Sequence, residues 1–159
     1  MADGSRPNRE YAHRHLRIGW WSMLVFAGLG LLLETLQGFK VGAYLDVSNE
    51  TRRMLWRLAH AHGTLLGVVH VLFGLTLRTE ADRPLPRARL ISRTLTLASL
   101  LVPAGFFLGG FGFVGGDPGL SVLLVPIGAV LLLSALFLLG STVGGDEAAK
   151  GAGSRTKER

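Results

Sequence analysis

Four long runs of apolar residues alternate with short polar segments along this chain. A helix of about 20 residues spans the roughly 30 Å hydrocarbon core of a bilayer, and each run reaches about that length. The runs cover residues 18–37, 58–77, 94–114 and 119–140. Because the connections between them are short, neighbouring helices should run in opposite directions. The pattern predicts an all-α fold, a four-helix transmembrane bundle with antiparallel neighbours.

Basic residues concentrate in alternate polar segments. Of the 17 Lys and Arg residues, all but four lie in residues 1–17, 78–93 and 141–159. An excess of Lys and Arg marks cytoplasmic loops. We therefore expect both termini to be cytoplasmic, with 1–17 a mobile basic tail, 18–140 the transmembrane domain and 141–159 a disordered cytoplasmic tail. The net charge of +6 is then explained by membrane topology rather than by binding to nucleic acid, and we expect no nucleic-acid partner.

The composition narrows the class of protein further. Mean hydropathy is +0.38, which is typical of a membrane protein. The first run is longer than the apolar region of a signal peptide and precedes no small-residue cleavage site, so we expect it to stay as a helix. The absence of cysteine excludes disulfides, thiolate metal sites and cysteine nucleophiles. We expect a multi-pass protein of the bacterial inner membrane, in contact with lipid and with a second copy or a membrane-complex partner.

The second run carries a stripe of histidine and glycine on one face of its helix. At 100° per residue, five positions fall within an arc of about 80°. They are His60, Gly63, Gly67, His70 and Gly74. Small residues let helices approach closely, and histidines inside a membrane face protein or a cavity. We expect the stripe to pack against a matching face of the first helix. That face comprises Met23, Ala27, Gly30, Glu34 and Gln37.

Glu34 is the one carboxylate clearly inside a predicted span. It lies near the end of the first span and His60 near the start of the second, so the two share a depth. An unpaired polar group in hydrocarbon costs several kcal/mol, which favours a Glu34–His60 hydrogen bond; contact of Glu34 with interfacial water is the alternative. With His62, the two would offer oxygen and nitrogen ligands for a transition metal. Histidines at i and i+2 diverge on a regular helix, so such a site requires local distortion.

Haem b on His60 or His70 is another use of the stripe. Bis-imidazole haem ligation between helices needs a histidine from each of two helices. Every histidine within the predicted spans lies on the second helix. One chain would therefore supply one axial histidine, unless Met23 were the other ligand, and a dimer would supply two. His13 and His15 precede the first span, and we expect both to be solvated in the basic tail.

The segment HAHGTLLG, from His60 to Gly67, reads as His-x-His-x-x-Leu-Leu-Gly. It resembles a pattern in small, uncharacterised bacterial four-helix membrane proteins classed by unknown-function domains. It is also loosely similar to histidine-bearing helices of haem–copper oxidases, whose core needs several more histidines on other helices. The resemblance covers eight residues of the chain. It implies a bacterial membrane protein of unassigned function, with an inclination towards haem or copper.

The sequence offers little support for an enzyme. It contains no phosphate-binding loop, dinucleotide fingerprint or His-Glu-x-x-His motif. We therefore expect a small integral inner-membrane protein of non-enzymatic role, with a polar Glu/His helix face. Two alternatives stay open. One is a haem- or metal-binding accessory protein of membrane redox or respiratory chemistry, and the other is a small proton-linked transporter that uses Glu34 and His70.

Overall fold

The computed structural model describes residues 5–46, 48, 50–79, 85–112 and 116–157, with side chains between 8 and 142. The regular secondary structure of these residues is helical, which confirms the all-α prediction. In chain order the elements are α1 (Ser5–Gly38), the single turn α2 (Gly42–Leu45), α3 (Glu50–Thr79), α4 (Ala88–Gly109), a 3₁₀ turn (Leu120–Leu123) and α5 (Leu124–Lys157).

Four segments of the described chain are long and apolar enough to cross a membrane. They are Asn8–Gly38, Glu50–Thr79, Ala88–Gly109 and Leu120–Thr142. The number of spans and their approximate positions are as the hydropathy pattern predicted. A multi-pass membrane protein is the class of fold that these helices suit.

The helix ends differ from the predicted ends. α1 begins at Ser5, within residues 1–17 where we expected a mobile tail. α5 continues to Lys157, through residues 141–157 where we expected disorder. Packing accounts for the α1 extension, since Ala12 and His15 are buried and the Ala12 carbonyl lies against Gly74 of α3. Helix propensity does not account for the α5 extension, because residues 141–157 include four glycines. The assignment of both ends to the cytoplasm stays a prediction.

The helices pack in the row α1, α3, α4, α5, and α1 also touches α4. Neighbours are antiparallel. His60, early in α3, lies against Gly30, late in α1, whereas Gly74, late in α3, lies against the Ala12 carbonyl, early in α1. α1 and α5 flank the row and bury much smaller shares of their apolar windows than α3 and α4 do. Exposed apolar flanks are what a lipid environment requires.

Glycines set the distance between α1 and α3. A Cβ on Gly67 would lie 2.8 Å from the Met23 side chain and 3.0 Å from the Gly19 carbonyl oxygen. A Cβ on Gly63 would overlap the Phe26 ring. The stripe of α3 therefore packs against α1 as predicted. On α1, Met23 and Gly30 lie in this contact, whereas Ala27, Glu34 and Gln37 are exposed.

The loop between α1 and α3 is fastened to the start of α3. Arg53 Nη1 donates hydrogen bonds to the carbonyl oxygens of Tyr44, at 3.0 Å, and Asp46, at 2.7 Å. The backbone N–H and hydroxyl of Ser48 both donate to the Asp46 carboxylate at 2.9 Å. These hydrogen bonds, the backbone one first, lower the pKa of Asp46 below its ordinary value, because they favour the ionised form. Arg53 thus ties the loop to the first turn of α3.

Candidate functional site

Two histidines from different helices meet inside the row. His15 of α1 and His70 of α3 are both fully buried, and their Nδ1 atoms lie 2.6 Å apart. The rings are stacked with centroids 4.7 Å apart, and Phe73 meets the His15 ring edge-on. The expectation that His15 is solvated in a basic tail is therefore wrong. α1 extends far enough towards the N-terminus to place His15 against α3.

A serine of α4 continues the hydrogen bonding at each end of the pair. His15 Nε2 lies 2.8 Å from the Ser92 hydroxyl, and His70 Nε2 lies 3.0 Å from the Ser99 hydroxyl. Ser92 is fully buried and Ser99 is half-buried. The four side chains, Ser92, His15, His70 and Ser99, form an unbroken series that we call the histidine chain. It joins α1, α3 and α4.

Hydrogen-bond partners fix the proton positions in the histidine chain. The Ser99 hydroxyl donates to the Thr96 carbonyl oxygen at 2.8 Å, so it accepts from His70 Nε2–H. In neutral His70, Nδ1 is then the acceptor, and His15 Nδ1–H donates to it. His15 Nε2 in turn accepts from the Ser92 hydroxyl. Because two N–H groups cannot hydrogen-bond to each other, at most one of the two imidazoles is protonated.

The histidine chain runs along the helices rather than across them. Ser92 and Ser99 are seven residues apart on α4, which corresponds to a rise of about 10 Å, or roughly a third of a bilayer core. The Ser99 end also lines a groove of about 500 Å³ together with Arg17, Ser22 and Thr96. One end of the chain is therefore closed and the other borders a surface groove.

A second polar region lies at the loop end of α1 and α3. His60 Nδ1 lies 2.6 Å from the Phe26 carbonyl oxygen, and because a carbonyl only accepts, His60 Nδ1–H is the donor. Gly30 leaves the space that the His60 ring fills. The ring borders an open groove of about 520 Å³, here called the loop-end groove. Its lining residues are Gly30, Leu33, Glu34, Gln37, Gly38, Arg57, His60 and Ala61.

The predicted Glu34–His60 pair is replaced by other contacts. His60 bonds to the α1 backbone, and no hydrogen bond or ion pair joins Glu34 to another described side chain. Glu34 is exposed, which matches the alternative of contact with water. Across the groove, Arg57 Nη2 donates to Gln37 Oε1 at 3.0 Å. Glu34 and His60 lie at a similar depth, as expected, and border the same groove without a direct hydrogen bond.

His62 lies off the α1-facing stripe, as predicted. Its Nδ1–H donates to the Leu58 carbonyl oxygen at 2.9 Å, and its ring contacts Phe106 of α4 with centroids 4.9 Å apart. His60 and His62 thus face different helices, as the i, i+2 spacing indicated. Within the described residues, no three His, Cys, Asp or Glu side chains are grouped to hold a metal ion. The Glu34, His60 and His62 set is not assembled.

The sequence held a signal for His15 that the hydropathy boundary at residue 18 hid. The α1 residues that contact α3 recur at helical spacing through and beyond that boundary: Ala12, Leu16, Gly19, Met23, Phe26 and Gly30. His15 continues this face, whereas Arg14 and Arg17 lie on the opposite, exposed side. A continuous apolar stripe, rather than a run free of charge, marks the true extent of the helix.

No protein-family model, curated protein or solved structure matches this chain.

Proposed function

We propose that this chain is a small, non-enzymatic protein of the bacterial inner membrane that relays protons through the histidine chain as part of a proton-linked transporter. The observation that carries the proposal is the unbroken hydrogen bonding from Ser92 through His15 and His70 to Ser99. Imidazoles inside a membrane are costly, and they commonly mark proton relays or ion pathways. The bacterial inner membrane enters the proposal through the resemblance of HAHGTLLG to uncharacterised bacterial four-helix membrane proteins.

The relay works by successive proton transfers along the series. When a local opening of the helices admits water at the closed end, the Ser92 hydroxyl gives its proton to His15 Nε2 and takes another from that water. The His15 Nδ1 proton passes to His70 Nδ1. The Ser99 hydroxyl then takes the His70 Nε2 proton and gives its own proton to water in the groove that it lines. One proton has moved about 10 Å and both imidazoles are again neutral, in exchanged tautomers. The original tautomers are restored when the imidazole rings rotate or when the ring protons move back along the hydrogen bonds.

Proton flux into vesicles tests the relay directly. The purified full chain is reconstituted into liposomes that contain a pH-sensitive dye, and a potassium diffusion potential drives protons inward. We expect flux above that of protein-free vesicles and a loss of tenfold or more in His15→Gln, because glutamine hydrogen-bonds but does not titrate. His13→Gln is the matched control, since His13 is exposed two residues away on the same helix.

The outcomes separate the relay from a structural role. Flux in His15→Gln equal to wild type would reject the relay, and so would flux indistinguishable from empty vesicles in folded wild-type protein. Ser99→Ala serves as a second variant, because Ser99 is half-buried and its loss perturbs packing little. A reduced flux in Ser99→Ala with intact helices supports the relay.

The orientation of the proposal rests on charge. The excess of Lys and Arg in alternate segments favours cytoplasmic termini. Reporter fusions at the C-terminus and in residues 38–49 test this. An alkaline phosphatase that is active at the C-terminus, where activity requires export, would reverse the assignment.

Haem or transition-metal binding is the second candidate function. The observation in its favour is that His15 supplies the second helix that bis-imidazole ligation needs, so His15 and His70 can serve within one chain. Against it, two nitrogens bound to one metal at about 2 Å each stand about 3 to 4 Å apart, with about 4 Å for the two axial ligands of a haem, so the rings would have to separate. An absorption spectrum and metal analysis of the purified protein decide this. A Soret band or stoichiometric copper that His70→Gln removes would replace the relay by a redox role.

A further inference from the structure

The loop-end groove holds opposite charges that do not neutralise each other. Glu34 and Arg57 line the same groove, yet no ion pair joins them among the described residues. Arg57 is instead held by Gln37 through one of its nitrogens. Opposite charges that line one groove commonly form an ion pair, whereas Glu34 of α1 and Arg57 of α3 border a groove of about 520 Å³ without one.

The His60 ring adds a second hydrogen-bond acceptor to this groove. Its Nδ1–H is committed to the Phe26 carbonyl, so in the neutral ring Nε2 carries the free lone pair. Glu34 and His60 Nε2 are acceptors, and Arg57 is a donor. The groove therefore suits a ligand that has a positive group with N–H bonds at one end and an anionic group at the other.

The position of the groove indicates where such a ligand comes from. Glu34 lies four residues before the end of α1 at Gly38, about 6 Å along the helix. A residue this close to the end of a membrane-spanning helix lies near the lipid headgroups. Leu33 and Ala61 give the groove an apolar wall.

We propose that the loop-end groove binds the headgroup of a zwitterionic phospholipid that carries a primary ammonium, as in phosphatidylethanolamine. The phosphate accepts hydrogen bonds from the Arg57 guanidinium, and the ammonium donates to Glu34 and His60 Nε2. A choline headgroup has the same charges but no N–H bonds, so it cannot make the last two contacts. Free phosphoethanolamine shares the headgroup chemistry but lacks the acyl chains that lie along the apolar wall.

Lipid retention from nanodiscs of known composition tests the site. The full chain is placed in nanodiscs with equal amounts of phosphatidylethanolamine, phosphatidylcholine and phosphatidylglycerol. The protein is ejected at low collision energy, and native mass spectrometry measures the mass of the lipid that stays bound. We expect retained phosphatidylethanolamine to exceed phosphatidylcholine by about fivefold, the scale of one or two partly exposed charge-assisted contacts. Equal retention of the two lipids would overturn the proposal.

Charge variants locate the binding to the groove. Glu34→Gln and Arg57→Gln should each bring the ratio of retained phosphatidylethanolamine to phosphatidylcholine close to one. Glu34→Asp and Arg57→Lys keep the charge and should keep most of the preference for phosphatidylethanolamine. Arg93→Gln and Asp117→Asn are matched controls, because both residues are exposed and lie outside the groove. An equal fall in the controls would contradict the site. Soluble phosphoethanolamine that displaces the lipid at equal concentration would also overturn the commitment to a membrane lipid.

Discussion

The histidine chain and the loop-end groove use histidine in opposite ways. In the histidine chain, two imidazoles are fully buried and each finds its partners on other helices. In the groove, the imidazole is fixed by a backbone carbonyl, and a carboxylate and a guanidinium face open space. The first region satisfies its own hydrogen bonds, and the second leaves groups available to something else.

This difference indicates a division of roles. A buried network without spare donors or acceptors gains little from a ligand, and its chemistry is the movement of protons within it. An open groove with unpaired charges at the edge of the hydrocarbon is suited to binding. α3 carries a histidine to each, with His60 and His70 ten residues and about 15 Å apart.

The comparison predicts the largest stability loss at the histidine chain. We expect His70→Ala to lower the free energy of unfolding by about 3 kcal/mol, because it leaves His15 Nδ1–H buried without an acceptor and opens a cavity. His60→Ala should cost about 1 kcal/mol, since His60 is half-buried and beside a groove. Denaturant titration in mixed micelles measures both.

The pair itself is tested by combining substitutions. His15→Ala with His70→Ala should cost clearly less than the sum of the single changes, because no orphaned ring nitrogen remains. His13→Ala, at an exposed position of the same helix, should have an effect within about 0.5 kcal/mol. Equal losses at His60 and His70 would remove the distinction between the two regions.

Glycines in the α1–α3 contact hold both regions in place, and their substitution should have the next largest effect. We expect Gly67→Ala to cost about 1–2 kcal/mol, since its Cβ would lie 3.0 Å from the Gly19 carbonyl oxygen and force α1 away. Gly28→Ala meets nothing within 4 Å on the same pair of helices and should be neutral or slightly stabilising. Thermal unfolding in detergent compares them, and equal shifts would contradict the close approach.

Ser99→Ala sharpens the description of the histidine chain with a smaller effect. Its removal leaves His70 Nε2–H without its described acceptor, at a cost of about 1 kcal/mol. Nitrogen-15 spectra of the wild-type protein should show His70 protonated at Nε2 and His15, His60 and His62 at Nδ1. In Ser134→Ala, on the exposed side of α5, neither the stability nor these spectra should change. A wild-type His70 protonated at Nδ1 would reverse the order of donors that we assign.

Much of the fold followed from hydropathy, and most of the site did not. The four apolar helices and the glycine face of α3 were predictable, because 20-residue runs and helical spacing are properties of local sequence. The His15–His70 contact joins residues 55 positions apart on two helices, and the spacing within either helix does not specify it. The charges of Arg14 and Arg17 obscured it further, since they suggested a soluble tail although both lie on the exposed face of α1.

The smallest expected effect concerns Glu34 and His60, which the sequence suggested as a bonded pair. Because His60 donates to the Phe26 carbonyl and Glu34 is exposed, we expect the stability losses of Glu34→Gln and His60→Gln to be additive within about 0.3 kcal/mol. A double-mutant cycle in detergent measures this. A coupling of about 1 kcal/mol or more would show that the two close on each other, and the groove would then resemble the histidine chain in satisfying itself. In bilayers that contain phosphatidylethanolamine, the same cycle should show coupling, because Glu34 and His60 would both bind the ammonium of one lipid. The coupling should disappear when phosphatidylcholine replaces phosphatidylethanolamine.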